Sequence, residues 1–261
     1  MRANMVVFYA PKLGNDEHEW EDGAAGRCGG QNPRFAIADG ATGAFGSARW
    51  AQQLVAAFVG SADSETPAMT PEGMHQWLEL MQTAWRDDPR TASGSDLARL
   101  KAARVGSFAT LLGCELSGLD GPRSRWKAVG LGDAVLYHVR GLQVTQFPRI
   151  SADEFGSNPD GVSTKPEKLA EMVERLTIEH GELAVGDRLY LASDAFAKWM
   201  IQADRSDRTS LWTMLAKLDH PATFRRLVAD QRRAGEMPND DVTLMRVHLA
   251  AAEPAYLVVC L

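Results

Sequence analysis

Short runs of aliphatic, β-branched and aromatic residues recur along the chain, bounded by Gly, Pro, Asn and Asp. They cover residues 6–10, 35–39, 107–116, 126–130, 134–139, 188–193, 242–249 and 256–260, and their composition predicts strands. The short turn containing Gly132 predicts a hairpin between the fourth and fifth runs. Arg140-Gly141 predicts a second tight turn that extends the meander into 142–147. A different period fills the gaps. In 47–59 the apolar Trp50, Leu54, Val55 and Phe58 recur at helical spacing. Pro71 opens 72–86 from the first-turn position it favours, and Met74, Trp77, Leu78, Met81 and Trp85 share one side. Residues 165–176, 195–202, 210–218 and 221–233 read as shorter helices. Strands and helices do not alternate one by one, as a doubly wound parallel sheet requires. The pattern predicts an α+β fold of two mainly antiparallel sheets packed together, with helices outside.

Composition narrows the function classes. The 261 residues are 45% hydrophobic and 24% charged, enough to bury a core without disulfide or metal staples. Apolar runs such as 54–59 and 256–261 are too short to span a bilayer, so no membrane is expected. The apolar stretch 5–10 ends at Pro11 and reads as a first strand rather than a signal peptide. A net charge of −6 with no basic tract argues against nucleic acid as the main partner. Cys28, Cys114 and Cys260 are odd in number and lack CxxC spacing, which removes zinc knuckles and dithiol motifs. Cys114 and Cys260 are expected as buried thiols in a reducing cytoplasm.

The aspartates carry the chemistry. Asp is a poor strand former, yet it repeatedly borders an apolar run. Phe35-Ala36-Ile37-Ala38 ends in Asp39, Leu189-Tyr190-Leu191-Ala192-Ser193 in Asp194, and Asp133 separates two predicted strands. Asp240-Asp241 precedes Val242-Thr243-Leu244-Met245, and Glu21-Asp22 adds carboxylates upstream. Carboxylates converging at strand ends repel one another unless a cation neutralises them. All-oxygen donors of this kind select Mg²⁺ or Mn²⁺. Gly40 permits close backbone approach, so its carbonyl is a further candidate donor. An aspartate beside a strand is also an ordinary turn or cap residue. Spacing alone leaves both readings open.

Taken in order, six segments resemble the bacterial-type members of the type 2C metal-dependent protein serine/threonine phosphatases. They are Glu21-Asp22; Phe35-Ala36-Ile37-Ala38-Asp39-Gly40-Ala41; Gly106-Ser107-Phe108-Ala109-Thr110; Val129-Gly130-Leu131-Gly132-Asp133-Ala134; Gly186-Asp187-Arg188-Leu189-Tyr190-Leu191-Ala192-Ser193-Asp194-Ala195; and Asn239-Asp240-Asp241-Val242-Thr243. The match runs from the first strand to residue 249 and implies one phosphatase-like domain over 1–261, a four-layer α-β-β-α sandwich of two antiparallel sheets flanked by helices. It implies two divalent ions, Mg²⁺ or Mn²⁺, with a looser third. Asp39 would bridge two ions, the Gly40 carbonyl would bind the second, and Asp194 and Asp240 would bind the first. Glu21 and Asp22 would hold metal-bound waters, Asp133 the third ion, and Asp241 matches a family asparagine. Two ions about 3.5–4 Å apart can activate a shared water for in-line attack on phosphorus. The implied substrate is phosphoserine or phosphothreonine in a protein, with a Ser/Thr kinase as partner.

Several positions depart from that pattern. Glu17 stands where many members bind phosphate with an arginine, so Lys12 or the metals alone would serve. Ala41 replaces the histidine of eukaryotic members, leaving His18 as a candidate acid, and Ala195 replaces a glycine. These losses motivate the alternative of a weakly active or inactive module that binds a phosphoprotein or regulates a kinase; a phosphorylated metabolite is a third candidate substrate. Cys28 and Arg34 have the Cys-x5-Arg spacing of cysteine-dependent phosphatases, but an apolar strand follows in place of a helix. Segment 150–167 falls where the family carries a flap, and reads equally as a surface loop. Trp50, Trp77, Trp85, Trp199 and Trp212 are expected in the core; Arg225-Arg226 and Arg232-Arg233 are expected on a solvated helix face.

Overall fold

The computed structural model of the protein describes residues 1–61, 66–92, 104, 106–155 and 160–252. The run at 256–260, Cys260, and residues 156–159 of the flap segment lie outside the described residues. Two five-stranded antiparallel sheets form the centre. The first has the order β1 (Arg2–Ala10), β12 (Val242–Ala250), β11 (Arg188–Ala192), β7 (Val135–Arg140), β8 (Gln143–Phe147). The second has the order β10 (Thr177–Leu183), β6 (Ser124–Leu131), β5 (Leu111–Ser117), β3 (Arg34–Ala38), β2 (Gly23–Arg27). A short ribbon joins β4 (Phe108–Ala109) to β9 (Val162–Ser163).

The two-residue period of each strand builds the layers. Phe35 and Ile37 of β3, with Leu112, Leu189, Leu191, Met245 and Val247, fill the space between the sheets. Their neighbours Ala36 and Ala38 face the other way, against Trp50, Leu54 and Phe58 of α1 (Ser47–Val59) and Trp77 of α2 (Pro71–Asp87). Met172 of α3 (Leu169–Arg175) joins that cluster. On the first sheet Tyr190 and Ala192 turn outward onto Phe196 and Trp212 of α4 (Asp194–Lys217) and Phe224 of α5 (Pro221–Ala234). Three apolar interfaces therefore separate four layers, helices outside and sheets inside. Burying each of the largest core side chains contributes about 1.5–3 kcal/mol. The five tryptophans expected in the core are all buried.

The helices begin and end where local chemistry directs. Thr70 caps α2 by accepting a hydrogen bond from the Gly73 N–H at 3.1 Å, with Pro71 in the first turn. The segments expected at 195–202 and 210–218 are one run, α4, broken at Asp207 (φ −152°, ψ 85°). The Asp207 carboxylate accepts from the Ser210 N–H at 3.0 Å and its hydroxyl at 2.6 Å, capping the second half. The helix expected at 165–176 opens as a single 3-10 turn, Pro166–Lys168, before α3. Among the described residues, no helix is long and apolar enough to cross a membrane.

Two expectations are corrected. The runs around Gly132 do not form a hairpin: β6 pairs with β5 and β10, whereas β7 pairs with β11 and β8. Gly132 (φ +113°) carries the chain from one sheet to the other, and a Cβ there would stand 2.6 Å from Thr110 and 2.7 Å from the Asp160 carbonyl. The run at 107–116 is also divided, because β4 leaves the sheet to pair with β9 and β5 starts afresh at Leu111.

Candidate active site

Strand register brings the predicted carboxylates to one end of the sandwich. Gly23 opposes Ala38, so Asp22 before β2 and Asp39 after β3 share an end. Ile37 opposes Leu112 and Leu111 opposes Leu131, which places the end of β6 beside them. In the first sheet Ala192 opposes both Leu244 and Val135, and Ala10 opposes Val242. Asp194 after β11, Asp240 before β12, Asp133 before β7 and Lys12 after β1 therefore lie at one end of that sheet. The β6–β7 crossover at Asp133 joins the two ends.

The inner carboxylates are short of partners. Asp22 is fully buried; one oxygen accepts from the Thr243 hydroxyl at 2.6 Å, and the other has no hydrogen-bond partner. Burial first, then the charges of Asp241 and Asp194, push its pKa up to about 7 against the Thr243 hydrogen bond. Asp133 is buried with both oxygens unpartnered, and burial with the charge of Asp194 pushes it up to about 7 as well. Asp39 is half-buried; burial and the charges of Asp22, Asp194 and Asp240 raise it well above the usual carboxylate range. Its backbone is locked by reciprocal bonds with Thr110, N–H to Oγ1 at 2.9 Å and carbonyl from N–H at 2.8 Å. Asp194 is the first residue of α4, and burial and the Asp240 charge raise its pKa too. Buried anions that raise one another's pKa are a configuration a cation relieves.

The outer side of the same end is better satisfied. Glu21 accepts from Ser47 Oγ at 2.8 Å and Thr42 Oγ1 at 3.1 Å. Asp241 is buried and accepts from the backbone N–H groups of Lys12 at 2.9 Å and Glu21 at 2.7 Å, so it anchors both segments. Asp240 is ion-paired with Lys12 at 3.0 Å, and Lys12 reaches Glu21 at 3.6 Å. Burial lowers the Lys12 pKa, but the hydrogen bond to Asp240 and the charges of Asp240, Asp241 and Glu21 outweigh it and the pKa is raised. Gly40 has its own steric reason: a Cβ would lie 2.6 Å from the Glu21 carbonyl and 2.8 Å from the Ser47 backbone.

The expected solvated face of α5 holds for Arg225, Arg226 and Arg233, which are exposed, and is corrected at Arg232. Arg232 donates to the carbonyls of Pro11 at 2.9 Å and Asp240 at 2.5 Å, clamping the segments that carry Lys12 and Asp240. Arg225 pairs with Glu17 at 2.6 Å and lies over the Tyr9 ring. Glu17 is thus a carboxylate that itself holds an arginine. His18 is exposed beside Asp16 and Glu19, and among the described residues this is the trio whose donor atoms all lie within 4.8 Å. All three are exposed, and the Glu19 carboxylate already accepts from the Asp16 N–H at 2.8 Å. Among the described residues, no three of Asp22, Asp39, Asp133, Asp194 and Asp240 bring their donor atoms within 4.8 Å of one another. Their unpartnered, all-oxygen donors fit hard divalent cations.

Cys28 lies in the connection between β2 and β3, with no helix after it, and burial raises its pKa. Arg34 points away, paired with Glu115 and donating to the carbonyls of Phe58 and Pro67. Cys114 is buried, as expected.

The fold is that of the type 2C serine/threonine phosphatases. The phosphatase PstP/Ppp of Mycobacterium tuberculosis matches with a TM-score of 0.60 at 18% identity, over 96% of this chain and 100% of that one. A bacterial serine phosphatase gives 0.62 at 13% identity over 96% and 99%, and the serine/threonine phosphatase of S. agalactiae 0.58 at 15% over 95% and 99%. The catalytic domain of PstP is also known in complex with two manganese ions. No protein-family model and no curated sequence matches the chain.

Proposed function

We propose that the chain is a Mg²⁺- or Mn²⁺-dependent phosphomonoesterase hydrolysing phosphoserine or phosphothreonine in proteins, one type 2C phosphatase-like domain over 1–261. The observation that carries this reading is the set of buried carboxylate oxygens on Asp22 and Asp133 that lack any partner, in a fold whose likeness PstP holds two manganese ions. Asp39 would bridge two ions, the Gly40 carbonyl would serve the second, and Asp194 and Asp240 the first. Glu21 and Asp22 would hold water, and Asp133 a looser third ion. The bound ions supply a water of lowered pKa and neutralise phosphate oxygens. The chain's own part is orientation. Thr110 fixes the Asp39 backbone, Thr243 fixes Asp22, Asp241 fixes Glu21, and Arg232 fixes Asp240. A cytoplasmic setting and an opposing Ser/Thr kinase follow from the same reading.

A second reading is an inactive phosphoprotein-binding module. Glu17 engaged with Arg225, in place of a phosphate-binding arginine, supports it. Hydrolysis of p-nitrophenyl phosphate with and without Mn²⁺ separates the two. Loss of an outer-sphere residue costs about 10–100-fold in metal sites, so Asp39→Asn should cost at least about a hundredfold. Cys28→Ser should leave the rate unchanged. Metal-independent turnover, or equal rates for wild type and Asp39→Asn, would reject the enzyme reading. A preference for one phosphorylated metabolite over phosphothreonine peptides would reject the protein substrate.

A further inference from the structure

The acidic end of the sandwich carries a cation of its own. Lys12 leaves β1 on a backbone fixed from several directions. Its N–H donates to Asp241 at 2.9 Å, the Leu13 N–H donates to Asn239 at 2.7 Å, and Arg232 holds the Pro11 carbonyl at 2.9 Å. From there the ammonium donates to Thr42 Oγ1 at 2.6 Å and to Asp240 Oδ1 at 3.0 Å, with Glu21 Oε2 at 3.6 Å. Thr42 in turn donates to Glu21 at 3.1 Å. Only 17% of the Lys12 side chain is exposed, whereas a solvated surface lysine keeps its head in water. This is a built position for one positive charge, with acceptors from three separate segments.

A lysine ammonium and a divalent ion drawn to one carboxylate repel each other, and the ammonium already engages Oδ1 of Asp240. Asp240 is the carboxylate that the phosphatase reading gives to a metal, and the inference rests on that reading. We propose that Lys12 is an internal counter-ion that competes with the divalent ion for Asp240 and, once displaced, serves as a receptor for the phosphate anion of the substrate. Its anchored backbone keeps the freed ammonium at the same end of the sandwich, beside Glu21 and within reach of a phosphate monoester brought there by the ions. It supplies the positive charge that Glu17 does not. An ammonium suits this double use because it is a compact charge on a flexible stem.

The test uses the full chain as wild type, Lys12→Met, Lys12→Gln and Lys12→Arg, with Mn²⁺ binding followed by calorimetry. Removing the competing charge should tighten Mn²⁺ binding about tenfold in both neutral variants, while Lys12→Arg keeps wild-type affinity. A merely structural lysine would weaken metal binding or leave it unchanged when lost, so either result in the neutral variants overturns the competition. In EDTA the neutral variants should melt below wild type, because Asp240 and Glu21 lose their counter-ion; equal melting would also count against it. All the variants retain the backbone N–H to Asp241. If Lys12→Met does not fold in EDTA, Lys12→Gln, which keeps a hydrogen bond to Thr42 within reach, decides. Inorganic phosphate should bind the Mn²⁺-loaded neutral variants about tenfold more weakly, and undiminished binding overturns the receptor role. If not even wild type binds Mn²⁺, the metal reading falls and the competition with it. Equal Mn²⁺ affinity in every variant sinks the Lys12 inference alone.

Discussion

Asp187 and Asp22 are equally hidden from solvent, and their surroundings have opposite characters. Asp187, just before β11, accepts from His138 at 2.8 Å, from Arg140 at 2.8 and 2.9 Å, and from the Ala184 N–H at 2.9 Å. Burial raises its pKa, but these hydrogen bonds outweigh burial and hold it below the usual carboxylate range. The network continues through the Trp126 indole, which donates to His138 at 3.3 Å and ties β6 to β7 across the two sheets. Asp22 has one hydroxyl partner and an orphaned oxygen, and Asp133 has two orphaned oxygens. A buried carboxylate with a full set of donors holds a fold together. One left without them calls for a partner from outside the chain, such as a water or an ion.

The contrast predicts opposite responses to pH, and this is the largest effect expected. In EDTA, Asp22 and Asp133 keep their protons in the fold up to about 7 but lose them near 3.8 when unfolded. The fold binds more protons than the unfolded chain across that window. Stability is therefore full below it and falls as pH rises through 7, by on the order of a few kcal/mol. Urea midpoints in EDTA should be higher at pH 5 than at pH 8, and Mn²⁺ should restore the loss at pH 8. A midpoint that rises with pH in EDTA would contradict the picture. Asp187, with its lowered pKa, contributes in the other direction: its stabilisation is lost only as pH falls below 3.8.

Next in size, Asp187→Ala should cost about 2–3 kcal/mol, mainly by orphaning His138 and the Ala184 N–H. Arg140 is partly exposed and adds little to that figure. Mn²⁺ affinity measured on the folded fraction should not change. The smallest effect is expected for Asp133→Asn, which removes a buried charge and should stabilise the EDTA-treated protein at pH 8 by about 1–2 kcal/mol. The same variant should gain less stability from Mn²⁺ than wild type does. Destabilisation in EDTA would mean that Asp133 has a protein partner after all.

Much of this was legible in the sequence, for physical reasons that can be named. Asp39, Asp194 and Asp240 stood out because an aspartate against an apolar strand is costly locally. The apolar runs at 35–38 and 188–192 located two of the strands by composition. What escaped were features whose pattern is weak. β2 is Gly23-Ala24-Ala25-Gly26-Arg27, too small in its side chains to show a period. β10 is an edge strand with polar residues on both faces. The β6–β7 crossover looked like a hairpin because a glycine turn reads the same whether the chain returns to its own sheet or enters another. Asp241 and Arg232 act through backbone groups of distant segments, and nothing in local spacing reveals such long-range bonds. Lys12 was visible as a candidate for holding the substrate phosphate; its place between Asp240 and Glu21 depends on the pairing of β1 with β12.

The crossover at Gly132 has a mechanical consequence. Asp22 and Asp39 hang from one sheet and Asp194 and Asp240 from the other, with Asp133 on the crossover between them. An ion shared among them would act as a rivet through both sheets, so the sandwich could not part without releasing it. Amide exchange in the inter-sheet layer, at Leu112 and Leu191 for instance, should then slow with ion concentration although both lie within the apolar core.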